Sequence, residues 1–438
     1  MLSPLGNATY FRLFSAQVVA LLGTGLATIA LGLLAHRLGG ASAGEILGIT
    51  LAIKMVAYVA VAPFASALAA NLPRKTLLIG LDLVRAGVAA LLPFVTEAWQ
   101  VYALMTVLYI ASAAFTPAFQ AMIPDILTDE REYTKALSLS RLASDLESVG
   151  SPVIAAVLLA FMAYSDLFAG TAIGFFLSAL MVLSAALPTT RSVQQRSFAQ
   201  RLTVGFRLFA LTPRLRALIA ISLATAAGGA MVFINTVVIV QTQLALSEQH
   251  TAWALAVFGL GSMSAAMLVP RLLEDASDRT VMILGGAIMT AGLIAGVFHH
   301  HGGYYALLVM WFDIGIGYSL TLTPASRALR RSASAEDRPA LFAAYFALSH
   351  ACWLIAYPVA GLVSATSGTN AAFLVLAILC AAGSLATWML WPSHDPESLP
   401  HRHDGLSPDD PHLAGGGPEH AHAFVIDDLH RRWPHHRP

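Results

Sequence analysis

Charged side chains are scarce here: Asp, Glu, Lys and Arg account for 11% of the 438 residues, against roughly 25% in soluble domains. With 57% hydrophobic residues and a mean hydropathy of +0.69, that scarcity excludes an ordinary water-soluble globule and puts the chain in lipid. Acids and bases cancel at 25 each, so no basic domain is available to hold nucleic acid. Cysteine is limited to Cys352 and Cys380, both within apolar stretches, which leaves nothing for a disulfide framework or a thiolate metal site. The Gly-x-x-x-x-Gly-Lys-Ser/Thr phosphate loop is missing, and with it the commonest ATP-driven design. No nucleophile, cofactor or catalytic metal constellation is found, so an enzyme is not expected. Transport would have to run on an ion gradient or on that of the solute.

What the chain does have is long apolar runs, near 14–35, 46–69, 76–95, 99–123, 141–163, 167–187, 217–241, 251–272, 280–298, 304–325, 341–365 and 370–391. A bilayer takes about 20 residues to cross, so these read as twelve spans. The first is too long for a cleaved signal and stays as span one. Lys and Arg remain on the cytoplasmic side. With an inside amino terminus, 22 of the 25 fall there; Lys54 and Arg85 lie within spans, and Arg37 is the exception. Both termini are therefore expected in the cytoplasm, with the body in the plasma (inner) membrane.

The spans divide in two. From Thr116 the sequence reads TPAFQAMIPDILTDEREYTKAL, and from Thr323 it reads TPASRALRRSASAEDRPAL. Each copy runs Thr-Pro-Ala, then a charged cluster closing on an acid–Arg pair, then Ala-Leu opening a new helix; Thr116 and Thr323 are 207 residues apart, and Pro152-Val153 and Pro358-Val359 follow at an offset of 206. A repeat that joins equivalent hydrophobic helices is a duplicated membrane bundle. The expected fold is an all-α membrane protein of twelve transmembrane helices in two pseudo-symmetric six-helix bundles. Residues 1–187 form the first bundle and 217–391 the second. Residues 188–216 are a basic cytoplasmic linker whose amphipathic part lies along the membrane surface.

Residues 392–438 form a cytoplasmic tail with nine of the fifteen histidines and little that builds a core, read as mostly disordered. His401 with His403 and His420 with His422 make two-nitrogen claws in extended chain, joined by His435 and His436. Imidazole among carboxylates suits nickel, cobalt, zinc or copper(II). Phe424, Val425, Ile426 and Trp433 are candidates to dock the end of the tail.

Two six-helix sets around a basic central loop resemble the major facilitator superfamily. Of its Gly-x-x-x-Asp-Arg-x-Gly-Arg-Lys signature between the second and third helices, Arg74 and Lys75 fit, while the corresponding loop of the second half holds Asp278 and Arg279. The resemblance implies an inner gate at these positions. Gly150-Ser151-Pro152 is similar to a motif of antiporters in the superfamily. The strings LAIKMVAYV, ALSLSRLASDLES and EDRPALFAAYFALSHACWL, with the His-rich tail, resemble its nickel-resistance exporters, and the body also resembles siderophore exporters. The nickel resemblance implies efflux of a divalent metal.

Charges within spans cost about 2.5–3.5 kcal/mol each on insertion scales and mark function. Asp82 and Arg85, three residues apart, read as a neutral structural pair. Asp145 lies one turn after Arg141 and can pair with it, as a locked gate; Glu147 points away. By the repeat offset Asp145 maps beside His350, a carboxylate and an imidazole at similar depth, able to bind a divalent ion or exchange protons. Asp313 in the tenth span and Lys54 in the second are at comparable depth and would switch on protonation if they face each other. The leading expectation is a proton-coupled exporter of divalent metal, with no cofactor. The alternatives are an exporter of a small organic solute, a siderophore or drug, and a metal-responsive membrane sensor. The partners expected are lipid, protons and the solute.

Overall fold

The computed structural model describes residues 2–39, 43–69, 72–187, 197–298, 303–393, 395, 398–402, 419–427, 429–430 and 433. In order the helices are α1 (Ala8–Gly39), α2 (Ala43–Ala69), α3 (Arg74–Leu91), α4 (Ala98–Ile126), α5 (Glu130–Leu159), α6 (Tyr164–Ser184), α7 (Phe198–Leu211), α8 (Pro213–Val237), α9 (Glu248–Asp275), α10 (Asp278–Val297), α11 (Gly303–Leu322), α12 (Ala325–Arg330), α13 (Arg338–Ser367) and α14 (Thr369–Leu390), followed by strands β1 (Ser398–Arg402) and β2 (Glu419–Ala423). Among the described residues eleven helices are long and apolar enough to cross a membrane. The twelfth of the set, α5, is 30 residues long and carries Arg141, Asp145 and Glu147.

Local chemistry fixes the boundaries. Asp129 accepts from the Glu132 amide to start α5, Ser277 accepts from the Thr280 amide to start α10, and Pro213 opens α8 where an amide would be unpaired. Gly368, at φ +85°, separates α13 from α14 in a conformation other residues rarely adopt.

The packing repeats across the two halves. α1 lies on α6 as α8 lies on α14, α2 on α4 as α9 on α11, and α1 on α5 as α8 on α13. Where lipid cannot drive helices together, close backbone approach does. A methyl on Gly261 would sit 2.1 Å from the Phe312 carbonyl oxygen, and one on Gly315 2.1 Å from that of Phe258, so α9 and α11 touch backbone to backbone. In the first half the Arg85–Asp82 ion pair is buried, the carboxylate accepting from Ser178 at 2.8 Å and the guanidinium 4.0 Å above the Phe115 ring. The halves meet along two seams, α5 against α9 and α2 against α13. α7 runs beside α2, α8 and α13, and Phe209 stacks on Tyr345 at 6.4 Å.

Within the tail, expected to be mostly disordered, the described residues include a two-stranded sheet. β1 and β2 pair antiparallel, with His401 opposite His420. Leu399, Phe424 and Ile426 are buried in the core of the second half and Trp433 packs against it; burial of such side chains outweighs the entropy of a short polar segment. Arg214 anchors them. It is 4% exposed, pairs with Asp395 at 3.1 Å, donates to the Phe424 carbonyl at 3.3 Å and lies 5.0 Å above the Trp433 ring. The tail thus returns to the membrane face on which α1 begins, called here the amino-terminal face.

Candidate functional site

At the amino-terminal face the two halves are tied by ion pairs. Asp125, at the end of α4, takes Arg74 of its own half at 2.7 Å and Arg338 of the other half. Glu130, at the start of α5, takes Arg327 of α12, which also faces Asp278 at 3.3 Å; Arg331 faces Asp278 at 3.6 Å. The buried Asp278 carboxylate therefore has two guanidinium neighbours but no aligned hydrogen bond. Tyr133 donates to the Ser326 carbonyl across the same gap at 3.2 Å. The polarity is inverted between halves: the first offers a cation on α3 and an anion on α4, the second an anion on α10 and cations around α12. Asp125 and Arg327 each hold a partner in their own half and one in the opposite half.

Deeper, the α5–α9 seam holds a second polar tie. Arg141 pairs with Asp145, and Ser262 of α9 donates to the same carboxylate at 2.7 Å. The guanidinium lies 5.0 Å from the Tyr318 ring of α11. Asp145 is 3% exposed. Glu147 turns to α1 instead, where a methyl on Gly25 would come within 2.9 Å of its Oε1.

The α2–α13 seam is built differently. Lys54 is partly buried, its ammonium 5.6 Å from the Tyr58 ring and 5.9 Å from that of Tyr109 on α4. Across the seam His350 meets Tyr58 edge-on at 4.9 Å and lies 4.1 Å from Phe346. Its Nδ1 donates to the Phe346 carbonyl at 2.7 Å, which fixes the tautomer.

Between lock and seams lies a cavity of about 200 Å³, lined by Gln17, Gln120, Ser140, Arg141, Thr323 and Tyr345 among others. Above it the second half presents a run of aromatic rings: Phe233, 43% exposed, stands 5.5 Å from Phe258 and 6.0 Å from Trp353, and Trp353 5.0 Å from Tyr357. Hydroxyls, amides, rings and a guanidinium compose this interior.

A sequence profile of the Major Facilitator Superfamily matches residues 13–239 and 218–426. The chain belongs to the major facilitator superfamily. It is a multi-pass membrane transporter, not an enzyme. An uncharacterized MFS-type transporter of Bacillus subtilis (strain 168), YfiS, is 22% identical over 339 residues, covering 72% of this chain and 78% of that protein. The human organic anion transporter MFSD10 (TETRAN) shares the fold with a TM-score of 0.74 at 12% identity, over 87% of this chain and 99% of its own. A point variant of the E. coli fucose:proton symporter FucP does so with a TM-score of 0.71 at 14% identity, over 88% and 98%.

Within this superfamily fold the residues singled out in the sequence separate into groups. Arg74 and Asp278 lie in the lock. Lys75 donates to the Ala185 carbonyl at 2.9 Å and Arg279 to the Trp391 carbonyl at 2.9 Å, so these two tie the ends of neighbouring helices. Arg141 belongs to the deeper seam. The pairing of Asp145 with His350 is corrected: helices equivalent under the repeat sit across the pseudo-twofold axis, one residue in each seam. Among the described residues Asp313 and Lys54 form no ion pair. Asp313 is exposed in line with Tyr305 and Val309, while Trp311 and Ile314 on the other side of α11 are buried. Apart from those residues, the amides of Asn235, Gln241 and Gln243 donate to Ala360, Thr251 and Thr369 as ordinary glue between helices. Among the described residues no group of three or more His, Cys, Asp or Glu can hold a metal ion. His403, His435 and His436, and the histidines of the loop at 299–301, lie outside the described residues, and of His401 and His422 only the backbone is described.

The sequence reading missed Asp125, Glu130, Ser262 and Tyr318. The repeated acid–Arg clusters flanked the lock and were the available signal for the first two.

Proposed function

We propose that this transporter exports a small organic solute, coupled to proton entry, through the cleft between its halves. The lock of Asp125, Glu130, Arg327 and Arg338 with Arg74 and Asp278 closes the cytoplasmic end, and breaking it exposes the cleft to the cytoplasm. Arg141, Asp145 and Glu147 are the candidate coupling groups, because protonating Asp145 would free Arg141 and loosen the α5–α9 seam. The observation that carries the solute class is the interior the halves turn to each other: rings of Phe233, Tyr318 and Trp353 with amides and hydroxyls below. Such walls suit organic molecules and give a hard or borderline cation few ligands. Export is favoured by the resemblance of Gly150-Ser151-Pro152 to the antiporter motif.

Divalent metal as cargo is the second reading, supported by the strand register that sets His401 against His420, with His422 two residues on. Moving such an ion outward costs about 4.6 kcal/mol per 100 mV, so at least two protons must return for electroneutral exchange. Thermal unfolding of the purified protein distinguishes the readings, since a ligand that binds the folded state raises Tm. Aromatic organic solutes should raise it, and Trp353→Ala should lose the response. A rise with nickel alone, lost in His401→Ala/His420→Ala, would reverse the order of the two readings.

A further inference from the structure

The two seams differ in one respect that bears on the solute. In each, a cation sits near the middle of its helix, Arg141 in α5 and Lys54 in α2. Arg141 has a resident carboxylate one turn away, seconded by Ser262. Lys54 has aromatic rings on two sides and, among the described residues, neither a carboxylate nor a hydrogen-bond acceptor. A charge at this depth without a partner is retained for function. The rings attract an ammonium through their faces but leave its charge uncancelled.

From this we infer that Lys54 is the recognition site for an anionic group on the solute, and that the transported molecule is an organic anion with an aromatic or apolar body. The inference rests on the organic-solute reading above. The carboxylate that the α5–α9 seam supplies from its own chain is supplied at the α2–α13 seam by the ligand. The Tyr58 and Tyr109 rings flank the head group, and Phe346 and His350 complete the box from the other half. Because those walls come from both halves, a bound anion holds the α2–α13 seam together, which links occupancy to the approach of the halves. His350, with Nδ1 committed to the Phe346 carbonyl, can offer Nε2 to the same anion only when protonated.

The test uses purified full-length protein and three probes of one shape, benzoate, benzamide and benzylammonium, read by thermal stabilisation and by counterflow of labelled benzoate in proteoliposomes. Benzoate should stabilise the protein and be exchanged, and the other two should not. Lys54→Gln should weaken benzoate binding at least tenfold while raising the Tm of the ligand-free protein, since an unpaired membrane charge is removed. A purely structural lysine would lower it. Lys54→Arg should restore binding. Tyr58→Asp, which gives Lys54 a carboxylate at the spacing Asp145 has from Arg141, should abolish binding without loss of stability. Equal binding of benzamide, unchanged binding in Lys54→Gln, or no response to benzoate overturns the inference. Transport of neutral or cationic aromatics alone would do so while leaving the organic-solute reading intact. Nickel as the sole substrate would remove both.

Discussion

At the α5–α9 seam a guanidinium at the edge of the cavity, a buried carboxylate and a buried hydroxyl satisfy one another across the halves. At the α2–α13 seam, related to it by the internal repeat, an ammonium sits among rings with no anion beside it among the described residues. The first seam is complete as folded, and its charges hold the halves in register. The second is completed by something that arrives. Duplication supplied two equivalent interfaces, and their side chains have diverged so that one is closed by its own charges and the other is left to recognise an anion. The lock shows the same divergence, since its two halves carry opposite charges at equivalent helix ends and therefore attract.

The largest effect should come from making the complete seam incomplete. Asp145→Asn leaves Arg141, partly buried at the cavity edge, without a counter-ion, at a cost of up to about 3–5 kcal/mol, the figure for a fully buried pair. Thermal unfolding in detergent should show the loss, and Arg141→Met/Asp145→Leu should recover most of it. A loss no greater than that of an exposed pair would make the seams equivalent.

Next in size is the lock. Arg327→Gln frees Glu130 and leaves Asp278 with Arg331 only, whereas after Arg338→Gln the Asp125 carboxylate keeps Arg74. Charged hydrogen bonds contribute about 1.5–3 kcal/mol, so Arg327→Gln should populate the opened amino-terminal face more than Arg338→Gln. Cysteine accessibility at the cavity residue Ser140 would report the order.

Trp433→Ala removes a ring from Arg214 and should cost about 0.5–1 kcal/mol, seen as a small fall in Tm with transport retained. Smallest of all in its effect on transport, Asp313→Asn removes an exposed charge within the span of α11 and should leave Tm unchanged or raised, with transport unchanged. A transport defect there would return Asp313 to the mechanism.

Depth was readable from the sequence, and azimuth was not. The spans, the repeat and the positions of Asp145, Glu147, Lys54 and His350 along their helices follow from hydropathy and spacing. Which side of α11 carries Asp313 does not, because a membrane helix is apolar toward lipid and toward its neighbours alike, so the periodicity that orients a soluble helix is lost. The repeat offset likewise paired Asp145 with His350 in depth while the pseudo-twofold axis set them in opposite seams. Arg141 and Asp145 were legible as partners because one helical turn decides their contact; Ser262 and Tyr318 were not, since they come from α9 and α11. The apolar residues of the tail were visible as candidates to dock, but nothing in the sequence pointed to Arg214 as their anchor.

The movement of two halves about these seams can be measured directly. Spin labels at Arg131→Cys and Ala335→Cys, both exposed and on opposite sides of the lock, can be placed without interference because Cys352 and Cys380 are buried. Double electron–electron resonance should give a short, narrow distance for the ligand-free protein and a second, longer distance when Arg327→Gln/Arg338→Gln breaks the lock. A single unchanged distance in the broken-lock protein, with transport intact, would contradict a transporter that opens by separating its halves at this face.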